Sequence, residues 1–208
     1  MKNPRARRFL VSLGPIAFVF GVCVAIGAQA PMTGAVFTTN STGTFVNGNV
    51  YDTSNDPYIN GGPRPNSGNC TAAGLPNGDY YFQVTDPSGS ELLSNDDLDS
   101  QRRFTVSNGI ITAYLGGHAK GTGRCGDITI QLAPFEVTSN PGGEYKVWVT
   151  PVGNYVPGSG SYGFIQRDSK TDNFKVASLT DSDGDGIPDA DDNCPLFYDP
   201  TNLCYTVR

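Results

Sequence analysis

Residues 143–151 read GEYKVWVTP, and the alternation inside them decides the fold. Tyr145, Val147 and Val149 fall on one side of an extended chain, with Lys146, Trp148 and Thr150 on the other, because successive side chains of a strand point to opposite faces. Residues 78–87, GDYYFQVTDP, echo that phrase: Gly-acid-Tyr, then Val-Thr and a closing Pro. In both, glycine opens the strand, and proline, which has no N–H to give a ladder, ends it. Residues 127–134, DITIQLAP, set Ile128, Ile130 and Leu132 against Thr129 and Gln131 in the same way.

Outward from these strands the chain is punctuated by turns. Asn108-Gly109 separates RFTVS from IITAYL, and Asn47-Gly48 separates TGTFV from NVYD. Asn-Gly between apolar runs predicts a hairpin, since both residues can take positive φ. No stretch carries a helical period. Short strands with turn signals at such intervals predict an all-β, antiparallel β-sandwich of immunoglobulin or transthyretin-like type over residues 31–178. The phrase GLPNGDYYFQVTDPSG, residues 74–89, resembles the B-type and transthyretin-like sandwich modules of bacterial surface proteins, and the resemblance implies a stalk or spacer role.

Residues 181–192, DSDGDGIPDADD, place six aspartates in twelve positions. Calcium takes six to eight oxygens, and an EF-hand-type loop supplies them from positions 1, 3, 5, 7, 9 and 12 with glycine at 6. Counting from Asp181, the chain offers Asp181, Asp183, Asp185, the carbonyl of Ile187, Asp189 and Asp192, with Gly186 at the turn. Solvated acidic linkers have no reason to keep that spacing. No entering helix precedes the loop, and Pro188 at position 8 has no N–H for pairing with a second loop. The run DSDGDGIPDADDNCPLFYDP resembles a thrombospondin type 3 repeat, which implies an extracellular, disulfide-linked calcium loop of adhesive or structural proteins. Asp199 and Asn202 depart from that family's Asn and Gln, Cys204 stands where the next repeat would begin with Asp, and the chain has one such repeat. Residues 179–208 therefore read as a calcium-binding tail.

Residues 1–30 carry Lys2, Arg5, Arg7 and Arg8 and then an uncharged apolar run, the pattern of a secretory signal peptide. Cleavage fits after Ala30 or after Gly27. Without that leader, ten Lys+Arg stand against twenty Asp+Glu, a net charge of −10, which speaks against nucleic acid and for cations as partners. No stable membrane span is expected after cleavage. Cys70, Cys125, Cys194 and Cys204 then form an even set in an exported chain, which predicts two disulfides. Three pairings are open; sequence proximity and domain membership favour Cys70–Cys125 and Cys194–Cys204.

Little in the chain points to catalysis. The lone histidine, His118, sits in the loop GGHAKGTG, which lacks the Gly-Lys-Ser/Thr ending of a phosphate loop. Asp96, Asp97 and Asp99 read as a solvated acidic turn, and residues 157–163 as a flexible Gly/Ser connection. The expectation is a non-enzymatic, secreted or cell-surface, calcium-binding adhesion or structural protein, with a cell-surface protein or polysaccharide as partner. The alternatives are a carbohydrate-binding module stacking sugars on Tyr80, Tyr81, Tyr114, Tyr145, Trp148, Tyr155 and Tyr162, or an accessory domain of an extracellular hydrolase.

Overall fold

The computed structural model describes residues 32–63, 70, 73–138, 140, 143–177, 183, 187 and 192–204. The leader expected over residues 1–30, and Asp181, Asp185 and Asp189 of the acidic loop, lie outside the described residues.

The fold is all-β, with ten strands in two facing sheets among the described residues. In order they are β1 (Phe37–Thr39), β2 (Val50–Tyr51), β3 (Tyr58–Asn60), β4 (Gly78–Thr85), β5 (Arg103–Ser107), β6 (Ile110–Tyr114), β7 (Lys120–Thr122), β8 (Ile128–Gln131), β9 (Glu144–Pro151) and β10 (Lys170–Val176); one helical turn, α1 (Leu98–Gln101), precedes β5. A four-stranded sheet runs β1-β3-β8-β7 and a six-stranded sheet runs β2-β10-β9-β4-β5-β6. Pairing is antiparallel except at one end of the larger sheet, where β2 lies parallel to β10 (Lys175↔Val50, Val176↔Tyr51).

The two strands that echo each other in sequence are neighbours. β4 and β9 pair antiparallel with Phe82↔Val149 and Val84↔Val147, so their apolar residues line one face together. Tyr80, Phe82 and Val84 from β4 and Tyr145, Val147 and Val149 from β9 meet Ile59, Ile130 and Leu132 of the opposite sheet in one core. Tyr145, Phe82, Val84, Val147 and Val149 are fully enclosed. The opposite face of the same strands is covered as well. Trp148 and Tyr81 pack with Phe164 in a second cluster, beneath the connection that leads from β9 to β10.

Both Asn-Gly pairs have an asparagine at positive φ, but only one makes a hairpin. Asn108 (φ 54°) and Gly109 (φ 78°) turn β5 into β6. At Asn47-Gly48 the expected hairpin is replaced by a capped loop. Asn40 Oδ1 accepts from Thr44 N (3.0 Å), Phe45 N (3.3 Å) and Thr42 Oγ1 (3.1 Å). That side chain takes the donors a strand over 42–46 would give to a ladder, and β2 finds its partner in β10.

Residues 157–163 are a tied-down flap, which corrects their reading as a flexible connection. Ser161 and Phe164 exchange backbone hydrogen bonds (2.9 and 3.0 Å). Gln83 Nε2 donates to Ser161 O (2.8 Å), Ser161 Oγ to Gly89 O (2.7 Å) and Tyr162 Oη to Ser90 O (2.6 Å). The glycines there permit a tight turn rather than motion.

Both disulfides are formed as expected, Cys70–Cys125 and Cys194–Cys204, with Cα–Cα distances of 5.5 and 5.7 Å. Among the described residues, no helix is long and apolar enough to cross a membrane.

Candidate functional site

Two regions gather polar chemistry: the C-terminal tail and one end of the sandwich.

The described part of the tail, residues 192–204, is built on the Cys194–Cys204 bond and on two side chains. Asp199 accepts four hydrogen bonds, from Thr201 N (3.1 Å) and Thr201 Oγ1 through Oδ1, and from Leu203 N (2.9 Å) and Cys204 N (2.7 Å) through Oδ2. Those donors, the Thr201 hydroxyl foremost, hold the Asp199 carboxyl below the usual carboxylate range. Asn202, at φ 52°, reaches back across the ring: Asn193 N donates to its Oδ1 (2.8 Å) and Asn193 Nδ2 to its carbonyl (3.0 Å). Asn202 stands where most side chains would be strained, and asparagine is the residue that tolerates that conformation.

Upstream of this ring stands Asp192, the twelfth position of the acidic loop. Its Oδ1 accepts from Cys194 N (2.7 Å). Its Oδ2 is withdrawn from solvent and has no hydrogen-bond donor among the described residues. An enclosed carboxylate oxygen without a donor is costly unless a cation or proton meets it. Among the described residues, no three His, Cys, Asp or Glu side chains are gathered in a way that could hold a metal. Of the six loop positions only Asp183, Ile187 and Asp192 are described. Beside this acidic stretch Leu196, Phe197, Tyr198 and Leu203 are solvent-exposed.

At one end of the sandwich stands a cluster of polar and charged side chains that sequence alone did not reveal. His118, in the β6–β7 connection, directs Nδ1 at the Gln131 carbonyl (2.8 Å) and Nε2 at Asp96 Oδ2 (2.6 Å). Asp96 Oδ1 lies 3.0 Å from Arg102 Nε, and Arg102 Nη2 donates to the Asp96 carbonyl (2.9 Å). Arg102 and His118 are both buried. Burial lowers the Arg102 guanidinium's proton affinity, and the Asp96 carboxylate beside it opposes that. Gln131 belongs to the four-stranded sheet, whereas Asp96 and Arg102 belong to the approach to β5 in the six-stranded one. The histidine thus fastens one sheet to the other. Both ring nitrogens lie within hydrogen-bond distance of protein oxygens.

An open groove of about 530 Å³ runs past this cluster, lined by Asn55, Gln101, Gln131 and Phe135 among others. Of the other aspartates in the expected solvated turn, Asp97 caps α1 by accepting from Ser100 N (2.8 Å), and Asp99 accepts from the Tyr81 hydroxyl. The seven aromatic residues named for sugar stacking do not share an exposed face. Tyr80, Tyr81, Tyr114, Tyr145 and Trp148 are buried, and Trp148 Nε1 is spent on Thr85 Oγ1 (2.9 Å).

No protein-family model, curated protein or solved structure matches this chain.

Proposed function

We propose that the protein is an exported structural or adhesive module whose sandwich carries a C-terminal arm ordered by calcium. The observation that carries the reading is the spacing of Asp181, Asp183, Asp185, Ile187, Asp189 and Asp192, which supplies six hard oxygen donors at the positions a calcium loop uses. The Oδ2 of Asp192, withdrawn from solvent and with no hydrogen-bond donor among the described residues, supports it, because a divalent cation is a partner for such an oxygen. Two disulfides support the extracellular part, since they persist in oxidising compartments.

Bound there, calcium would neutralise carboxylates that otherwise repel one another. The side chains of Asp181, Asp183, Asp185, Asp189 and Asp192 and the Ile187 carbonyl are its donors. Extracellular modules of this kind bind with Kd on the order of 10⁻⁴ to 10⁻³ M. At millimolar calcium the ordering contribution is about 0.4–1.4 kcal/mol. The arm is therefore a conditional stiffener, responsive to calcium over the extracellular range.

The test is limited proteolysis of the full exported chain across a calcium titration. Calcium is expected to slow cleavage in residues 179–192, and Asp183→Ala to abolish the slowing. Equal digestion with and without calcium overturns the reading.

A further inference from the structure

The four-stranded sheet has an outer face as well as a core face, and its two central strands set a register pair on it. Ile59 and Ile130 are fully buried in the core, so their chain neighbours Tyr58 and Gln131, which also pair directly, stand on the opposite side of the sheet. The groove that passes Gln131 and Phe135 continues there. A second cavity of about 400 Å³, lined by Phe45 and Tyr58 among others, shares Asn55 with it. The junction is pinned, because Gln131 Nε2 donates to the Asn55 carbonyl (2.7 Å). Asn55 bonds Thr53 Oγ1 through its backbone N–H as well (3.3 Å), and its exposed carboxamide faces the groove rather than either of these partners.

Phe45 stands at one end, 50% exposed yet held in place. Its ring packs edge-on to Tyr51, 6.2 Å between centroids, and lies over Gly48, where a Cβ would come within 1.9 Å of it. We propose that this continuous groove, from Phe45 past Asn55 to Phe135, binds an extended, uncharged polysaccharide. Carboxamides both donate and accept hydrogen bonds, as sugar hydroxyls do, and a rigid ring in solvent offers a flat apolar surface to the C–H face of a sugar. Asp52, Asp56 and Asp96 line the groove, and among the described residues no lysine or arginine does, which disfavours an anionic chain. A peptide strand finds no ladder here, since β3 lies between β1 and β8, and β8 between β3 and β7, with their backbones already paired. The site differs from the buried aromatic residues considered above and involves none of residues 179–192, so it goes beyond the calcium reading.

The experiment is calorimetric titration of the full exported chain, in EDTA, with β-1,4-linked hexasaccharides of glucose, xylose and mannose and with a galacturonate hexasaccharide. Saturable binding of at least one neutral sugar is expected, with galacturonate far weaker. Asn55→Ala and Tyr58→Phe should each raise Kd about threefold to tenfold, the weight of one neutral hydrogen bond, and Phe45→Ala by at least as much. Unchanged Trp148 fluorescence verifies that the variants keep the sandwich. Absence of binding to all three neutral sugars overturns the proposal, as does equal binding of galacturonate or displacement of the sugar by an extended glycine–serine peptide of matching affinity. Sugar binding that none of the three variants weakens overturns the placement in this groove. Because calcium is absent throughout, each of these failures leaves the calcium reading standing, and an arm indifferent to calcium leaves the groove standing.

Discussion

Asp96 shows what a single residue decides. Its carboxylate is the one group that meets both Arg102 (3.0 Å) and His118 (2.6 Å) at the end of the sandwich. Removing one partner of a buried charge pair leaves the other uncompensated, a loss of about 3–5 kcal/mol. Asp96→Ala strands Arg102 and should lower the unfolding free energy from urea titration by that order. His118→Ala keeps the Asp96–Arg102 pair, loses the hydrogen bonding of the ring and should cost less, about 1–3 kcal/mol. Equal losses in the two variants would show that the clamp does not centre on Asp96. Asp86 makes a pH-dependent case. Burial alone would raise its pKa, but hydrogen bonds from the Ser88 hydroxyl and from the backbone of Glu91, Ser88 and Ser90 bring it down to about 2. A depressed folded value means stability that is present above the unfolded pKa of about 3.9 and is lost as pH falls toward 2. Asp86→Asn carries no such charge. Its unfolding free energy should therefore fall less steeply than wild type's between about pH 4 and 2, measured by urea titration at each pH; identical slopes would remove Asp86 from the acid response. Neither residue's role is legible locally. The Asp96 partners lie 6 and 22 residues away, so composition reads that turn as solvated.

At the scale of elements, legibility follows the range of the interaction. Alternation is a local property, and it located β8 and β9 with their faces correctly oriented, while β4 was located by its echo of β9. Asn108-Gly109 is local too, and it turns where expected. The Asn47-Gly48 pair fails because a side chain seven residues before it, Asn40, captures the donors of the intervening segment. The flap over Trp148 fails for a similar reason. Its Gly/Ser composition describes the backbone's freedom but not the hydrogen bonds from Gln83, Ser161 and Tyr162 that use it up. Gly163 is the sharpest test of that flap. It sits at φ 97°, and a Cβ there would lie 2.1 Å from the Tyr155 ring. Tyr155 in turn packs edge-on to Tyr81 and Phe164, at 5.4 and 5.7 Å between ring centroids. Gly163→Ala should displace the flap and destabilise the protein by about 1–3 kcal/mol. Because Trp148 is the sole tryptophan, its fluorescence reports directly: acrylamide quenching should rise in the variant. Unchanged quenching would mean that the flap does not seal the second cluster.

For the whole molecule the question is what holds two sheets of very different width together. Side chains help at several places among the described residues, two of them His118 with Gln131 and Asp96, and Asp172 Oδ2, which accepts from Thr38 N (2.7 Å) and Thr38 Oγ1 (2.9 Å) between β10 and β1. The covalent tie is Cys70–Cys125. Cys125 lies in the β7–β8 turn of the narrow sheet, and Cys70 in the segment that crosses from β3 in that sheet to β4 in the wide one. That turn is itself braced, with Cys125 N donating to Asp127 Oδ1 (3.0 Å) and Asn60 Nδ2 to Asp127 Oδ2, so the bond anchors the crossing to a rigid point. Its sequence separation is 55 residues. On the chain-entropy account, closing a loop of that length removes about 4 kcal/mol of unfolded-state freedom. Replacing both Cys70 and Cys125 by serine should therefore lower the melting temperature of this domain by roughly 8–16 °C. The loss should be absent from the Cys194→Ser, Cys204→Ser variant, whose ring spans ten residues outside the sandwich. Calorimetric melting of the two double variants side by side separates the contributions. A drop of only a few degrees in the Cys70/Cys125 variant would mean that the packed core and the side-chain ties already hold the sheets together, with the bond adding little to what burial provides.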